Sequence, residues 1–278
     1  MDTVIGLGKA GCAIADKFAQ YPQYKIFKID SEGLNSKSKN CHLIKKRGTP
    51  EEYEKAIRSM KTFFSKATDD ILFVLSGSGM ISGASLQILK NLKDKNVSIL
   101  YIKPDLEFLG HTNIMQERVV RNVLQEYTRS GVFNRIFLVD NKKVEEILGE
   151  VPIIGYYDKL NDLIVSTFHM VNVYSHQEAI HATPFDTAET TRISTLGILN
   201  VDEGEEKLFF SLDNIREKCY YYAINSKVLE TDGKLLRTLT DNINKNIGKD
   251  VRAGFQVYST SYEQNYGYLV VNTEKTNN

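Results

Sequence analysis

Cysteine is scarce: Cys12, Cys41 and Cys219 are scattered over 278 residues without C-x-x-C spacing, which excludes a disulfide framework. The first residues run straight into an apolar strand, with no charged stretch followed by an apolar one, as a secretory leader requires. A reduced, cytoplasmic protein is the expectation. No apolar run approaches the roughly 18 to 20 residues of a spanning helix, so direct membrane insertion is not expected either. Charge of one sign is also missing. Lys and Arg number 35 and Asp and Glu number 35, so no global field draws the chain to nucleic acid or an anionic surface. The five histidines, His42, His111, His169, His176 and His181, include no pair with metal-ligand spacing and supporting carboxylates, and no metal site is expected. Internal repeats and low-complexity segments are absent.

What is present describes a globule with a real core: 42% hydrophobic, 25% charged and 10% aromatic residues. The length suits two lobes. Over the first half, the apolar runs "TVIGLG", "YKIFKID", "DILFVLS", "VSILYIKP" and "NRIFLVDN" alternate with helical patterns. The helices fall after Lys9 and around "PEEYEKAIRSMKTFFSKA", "SGASLQILKNLKDK" and "IMQERVVRNVLQEYTRSG". Short strands of mostly Val, Ile, Leu and Phe between amphipathic helices predict a doubly wound α/β domain with a parallel sheet, over 1–155. Leu160, Leu163, Ile164, Phe168, Val171 and Tyr174 then recur at steps of three and four. They predict a central helix, 156–182, roughly 30 to 40 Å long, longer than the others and able to span two lobes. From 183 to 278 the pattern changes to "KLFFSLDN", "KCYYYAINSKVL", "DVRAGFQVYSTSY" and "GYLVVNTEK", a smaller α+β domain, closed by a polar tail "EKTNN" expected to fray.

Two glycine loops carry the chemistry. In "DTVIGLGKAGCAIADKF", Gly6, Gly8 and Gly11 lie between a strand and a helix, where backbone N–H groups can approach a phosphate. Asp30 ends the second strand about 20 residues on, as a nicotinamide dinucleotide site requires. Alone, this motif reads as NAD binding. A second loop, "LFVLSGSGMISGAS", places Gly77, Ser78, Gly79, Ser82, Gly83 and Ser85 at another strand-to-helix turn. Two such loops suit a polyphosphate gripped from both sides, although small residues also serve close helix–sheet packing.

In this order, between Val4 and Asn200, the motifs resemble those of the tubulin/FtsZ family. "GLGKAGCAIA" is similar to the family's first nucleotide loop, with Cys12 where Asn or Cys often stands, and "KIDSEGL" sets Asp30 on the family's Asp. "GTPEEYEKA" resembles the next phosphate-proximal loop, which points to Gly48 and Thr49. "GMISGAS" falls where the glycine signature belongs, with Ser82 on the first Thr and Met80 and Ile81 on two glycines. "FLVDNKKVEEI" sets Asn141 on the guanine-side Asn; Tyr157 and Asn161, an i, i+4 pair on one helix face, match the base-stacking ring and base-edge amide. The ribose loop "KPDLEFLGHTN" keeps Lys103, Pro104 and Gly110 but has Leu109 and Asn113 in place of Glu and Arg, with Glu107 as a substitute. "PFDTAE" supplies Asp186 and Glu189 at the D-x-x-E spacing of the loop that completes the next subunit's site, with Pro184 in place of Asn.

The resemblance implies a small divergent tubulin-like protein of the phage or plasmid type. It would bind GTP or GDP with Mg²⁺, assemble with itself head to tail, and hydrolyse GTP through Asp186 and Glu189 of the neighbour; no adaptor or cargo protein is specified. The two carboxylates also read as acidic residues near a helix start, and Tyr157 and Asn161 as packing and solvated residues. Two other functions remain: a tubulin-like module that holds nucleotide without turnover, and the NAD oxidoreductase, which leaves the second loop, Tyr157/Asn161 and Asp186/Glu189 unused.

Overall fold

The computed structural model describes residues 1–35 and 37–277. The run TVIGL, buried along its whole length, forms β1 (Thr3–Leu7) and enters α1 (Gly8–Phe18) without an intervening loop. There follow β2 (Lys25–Asp30), β3 (Cys41–Leu43), α2 (Pro50–Ala56), β4 (Asp70–Leu75), a 3₁₀ turn (Met80–Ala84) and α3 (Ser85–Lys90). Next come β5 (Asn96–Lys103), α4 (His111–Arg129), β6 (Arg135–Asp140), α5 (Asn141–Leu148) and α6 (Tyr156–Tyr174). The strands pair in the order β3-β2-β1-β4-β5-β6, each pair parallel. From β1 the chain steps one way to β2 and β3, and from β4 the other way to β5 and β6. Right-handed crossovers therefore put α1 and α3 on opposite faces and make the β1–β4 boundary the topological switch point. Ile71–Leu75 of β4 and Val97–Ile102 of β5 are buried throughout, as the sheet's centre requires.

The chain divides into two compact units, Met1–Val165 and Ser166–Asn278, and the division falls inside α6. In the second unit, β7 (His181–Ala182), β8 (Ile193–Leu199), β9 (Glu206–Leu208) and β10 (Glu217–Asn225) precede α7 (Ser226–Thr231) and α8 (Leu235–Asn246), with β11 (Arg252–Thr260) and β12 (Tyr266–Thr273) last. Here the order is β8-β12-β10-β11-β7, antiparallel except for the parallel β10–β11 pair that α7 and α8 cross over, and β9 pairs with β8.

Several elements differ from the sequence expectation because distant partners engage their ends. The helix expected over "PEEYEKAIRSMKTFFSKA" stops at Ala56, because the following backbone turns extended at Ile57. Met60 N–H then donates to Asn91 Oδ1 (2.8 Å), and Phe63 and Phe64 pack on Phe27. α6 ends at Tyr174, not Ala182, and its 19 residues equal those of α4 rather than exceed them. The Tyr258 hydroxyl takes the Tyr174 carbonyl (2.6 Å), and residues 180–183 leave to pair with β11. The tail is held, not frayed, through Asn277: Asp213 N–H donates to Thr276 Oγ1 and Asn277 N–H to Asp213 Oδ2.

The close fit of α1 on the sheet depends on two glycines. A Cβ on Gly11 would overlap the Val74 carbonyl oxygen, and one on Gly6 would overlap the Gly11 carbonyl. Gly79 faces open space with an extended backbone. Gly11→Ala is therefore expected to cost about 2 kcal/mol or more, the overpacking penalty, while Gly79→Ala stays within about 0.5 kcal/mol. Urea midpoints of the two variants check this.

Candidate functional site

The parallel pairing brings five strand ends to one level. Leu7 is in register with Ile29 and Leu75, Leu75 with Tyr101, and Lys103 with Asp140. Gly8, Asp30, the Ser76–Ser82 loop and Asn141 thus all follow carboxyl ends of neighbouring strands, where open α/β sheets bind ligands. The two glycine loops touch: a Cβ on Gly8 would lie 2.9 Å from Ile81 Cγ2. Gly8 itself has φ +70, a conformation glycine adopts without strain. It opens α1, an 11-residue helix with no side chain capping its N-terminus and no acidic residue in its first turn. The orphan amides and the positive end of the helix dipole there suit an anion.

Several residues that the resemblance assigns to nucleotide also make contacts within the scaffold. The Cys12 thiol donates to Gly6 O (3.4 Å) and Ile29 O (3.6 Å), and burial pushes its pKa up to about 12. Thr49 Oγ1 accepts from Glu52 N–H and Glu52 Oε2 accepts from Gly48 N–H (3.0 Å), a capping box that starts α2 with Pro50 at its first position. The Ser82 hydroxyl, 1% exposed, donates within its own loop, to Gly77 O (2.8 Å) and Gly79 O (2.6 Å). A Cβ on Gly77 would overlap the Tyr101 hydroxyl and one on Gly83 the Pro50 carbonyl, so both glycines serve close packing. In the ribose-loop region Glu107 pairs with Lys142, and Asn113 Nδ2 donates to Ser78 O (2.9 Å), propping the second loop.

Other residues keep their functional groups available. Asn141 Oδ1 is buried with no hydrogen-bond partner among the described residues, which leaves the cost of its desolvation unoffset there. Asp30 is buried at the end of β2, with Ser31 N–H donating to its carboxylate, and burial raises its pKa from the ordinary Asp value. The Tyr157 ring, 62% exposed, meets the Tyr156 ring edge-on at 5.1 Å and lines an open groove with Phe108 and Ile153. Asn161 follows one turn later, half-buried. Lys17 at the end of α1 holds that turn of α6, its ammonium 2.8 Å from both Asp158 and Asp162. The local signal for the capping box, Thr-x-x-Glu, stands in the sequence; the Lys17 clamp has none, because its partners lie over 140 residues away. Asp186 and Glu189 are exposed in the second unit. Among the described residues, no group of three or more His, Cys, Asp or Glu side chains could hold a metal ion.

Neither a protein-family model nor a curated protein matches the sequence. Solved structures match over nearly its whole length, and the fold is that of the tubulin/FtsZ superfamily. TubZ of Bacillus thuringiensis serovar israelensis, in GDP-form protofilaments, is similar with a TM-score of 0.73 at 15% identity, over 99% of this chain and 88% of that one. An FtsZ mutant of M. jannaschii gives 0.72 at 13%, over 98% and 90%. CetZ2 from Haloferax volcanii, in a GTPγS-bound protofilament, gives 0.69 at 16%, over 98% and 92%.

Asp30 yields a pH test. With its folded pKa above the unfolded value, its protonated form stabilises the fold below about pH 4, and that contribution is lost as pH rises through the folded pKa. Asp30→Asn is therefore expected to melt above the parent at pH 7, with the difference closing towards pH 3 to 4. Thermal melts across that range measure it.

Proposed function

We propose that this chain is a GTP-binding protein that assembles head to tail and hydrolyses GTP at the contact between subunits. The observation that carries the reading is the pair of touching glycine loops at the switch point of a tubulin/FtsZ fold, with the uncapped amino end of α1 between strand ends. The first-turn amides of α1 and the backbone of Ser76–Gly79 would receive phosphate oxygens. Asn141 Oδ1 would accept from a base N–H, which supplies the partner this buried oxygen lacks, and the exposed Tyr157 ring would stack on the base, with the Asn161 amide one turn on. Mg²⁺, which takes phosphate and water oxygens readily, needs no protein cage and would neutralise charge on the phosphates.

Asp186 and Glu189 would act on a neighbouring subunit. They follow α6 in the chain and belong to the second unit, whereas Tyr157 and the glycine loops belong to the first. Both carboxylates are exposed, and two such groups suffice to orient water for an in-line displacement that depends on positioning and charge. The protofilament descriptions of TubZ and CetZ2 support assembly of this kind. A contact that repeats without closing builds a filament. A second reading, nucleotide held without turnover, draws support from Ser82, whose hydroxyl is committed to Gly77 and Gly79, and from Met80 and Ile81 in the loop.

Base selectivity separates guanine from other ligands. GTP and GDP at a hundredfold excess over Kd should stabilise the protein by about 2.7 kcal/mol, more than ATP or NAD at equal concentration. Asn141→Ala should erase that preference without lowering the melting temperature of the nucleotide-free protein, since it breaks no internal hydrogen bond through Oδ1. A shift with NAD alone would return the chain to the dinucleotide reading.

Turnover separates the two tubulin-like readings. Phosphate release per subunit should rise with protein concentration, and Asp186→Ala or Glu189→Ala should lower kcat by about a hundredfold while leaving GTP affinity of the monomer unchanged. Binding without turnover at any concentration would favour the second reading.

A further inference from the structure

Asp186 and Glu189 sit on a loop whose shape is set by one buried carboxylate. Glu217, the first residue of β10, is 1% exposed. Its Oε1 accepts from Ala188 N–H (2.9 Å) and from Arg252 Nη1 (3.2 Å); its Oε2 accepts from the Thr191 hydroxyl (2.6 Å) and from Asn272 Nδ2 (3.3 Å). Arg252 makes a second link, donating from Nη2 to the Asp186 carbonyl (3.0 Å), and its guanidinium lies 5.4 Å from the centre of the Phe185 ring. Phe185 fills the space over Gly254 that a Cβ would take, and Thr183 exchanges hydrogen bonds with Phe255 at the start of the loop. The backbone is thus held before, between and after the two acidic residues. No hydrogen bond or ion pair engages either carboxylate among the described residues.

A charge buried to this degree costs several kcal/mol unless it is paired and fully hydrogen-bonded, and well-packed apolar residues often serve stability as well. Three of the four donors on Glu217 either belong to the acidic loop or, in the case of Arg252, reach it. The arrangement spends buried charge on fixing a loop that exposes its own carboxylates. We propose that Glu217 is the positioning residue of this loop, setting where Asp186 and Glu189 project towards a neighbouring subunit. The proposal rests on the hydrolytic reading above. A displacement of about 1 Å in such a group can lower turnover by up to a hundredfold.

The test uses the full chain carrying Glu217→Gln, which keeps the volume but turns one acceptor end into a donor. Expected are a fall in kcat of at least about tenfold with GTP affinity of the monomer unchanged, and amide exchange across 185–191 faster by a similar factor. Added to the Asp186→Ala/Glu189→Ala double variant, Glu217→Gln should slow turnover no further, because its effect passes through those residues. Arg252→Lys, which keeps the charge beside Glu217 but cannot make both of the guanidinium's links at once, should move both readouts in the same direction by less. The proposal is overturned if turnover and loop protection in Glu217→Gln match the parent, or if the losses multiply in the double-variant background as a general structural defect would make them. A parent that binds GTP and shows no turnover at any concentration overturns the hydrolytic reading and this proposal together. That result differs from a failure of Glu217 alone, in which parent and variant turn over equally.

Discussion

At Gly6 and Gly11, only hydrogen atoms fit between α1 and the strands beneath it. With glycine at both 6 and 11, the helix backbone seats against β1 and reaches the Val74 carbonyl of β4, while Ile14, Ala15 and Phe18 are buried along its length. This approach fixes the direction of α1 and hence the place of its free amino end. Gly8 brings that end against Ile81, and Gly77 and Gly83 seat the second loop on Tyr101 and on the start of α2. In these positions glycine works as a spacer of zero width, and the proposed phosphate contacts would fall to the backbone amides it lets through.

The polar groups around the strand ends divide by where their hydrogen bonds go. Ser82, Thr49, Gly48 and Cys12 bond inward and consolidate the loops. Asn141 Oδ1 and the Tyr157 ring face outward or lack a partner. Glu217 shows the costlier version of the inward class: a full charge removed from water and repaid by four donors, so that two other charges can stay in water. Rigid support beneath and unsatisfied groups above are what a binding surface requires, because ordering the groups at the moment of binding would cost affinity.

Much of the scaffold was legible because local patterns decide it. The β1, β4 and β5 runs are mostly apolar, which is how a strand buried on both faces reads, and their alternation with helices points to a parallel sheet; the order of the strands is visible only in the structure. Where the sequence expectation fails, a distant partner wins over local periodicity. Asn91 takes the Met60 amide and Phe27 takes Phe63 and Phe64, so a helical pattern breaks; Tyr258 takes the last carbonyl of α6, so the helix stops early. At the candidate site, the glycine motif marks two loops that the structure brings together but not each residue's task, since a spacer and a phosphate contact look alike in one sequence. Ser82 and Thr49 carry hydroxyls suited to phosphate, and only the geometry reveals that loop carbonyls and a helix start already use them.

The steric lock at a few glycines bears on how far such a chain can drift. Gly6, Gly11, Gly77 and Gly83 are confined by backbone or a buried hydroxyl on the other side, whereas Gly79 has open space around it and its neighbour Met80 is exposed. Most other positions ask only for apolar bulk, a capping group or a solvated surface, each of which many residues supply. A chain held by so few strict requirements can exchange much of its lettering while the path of the backbone stays put.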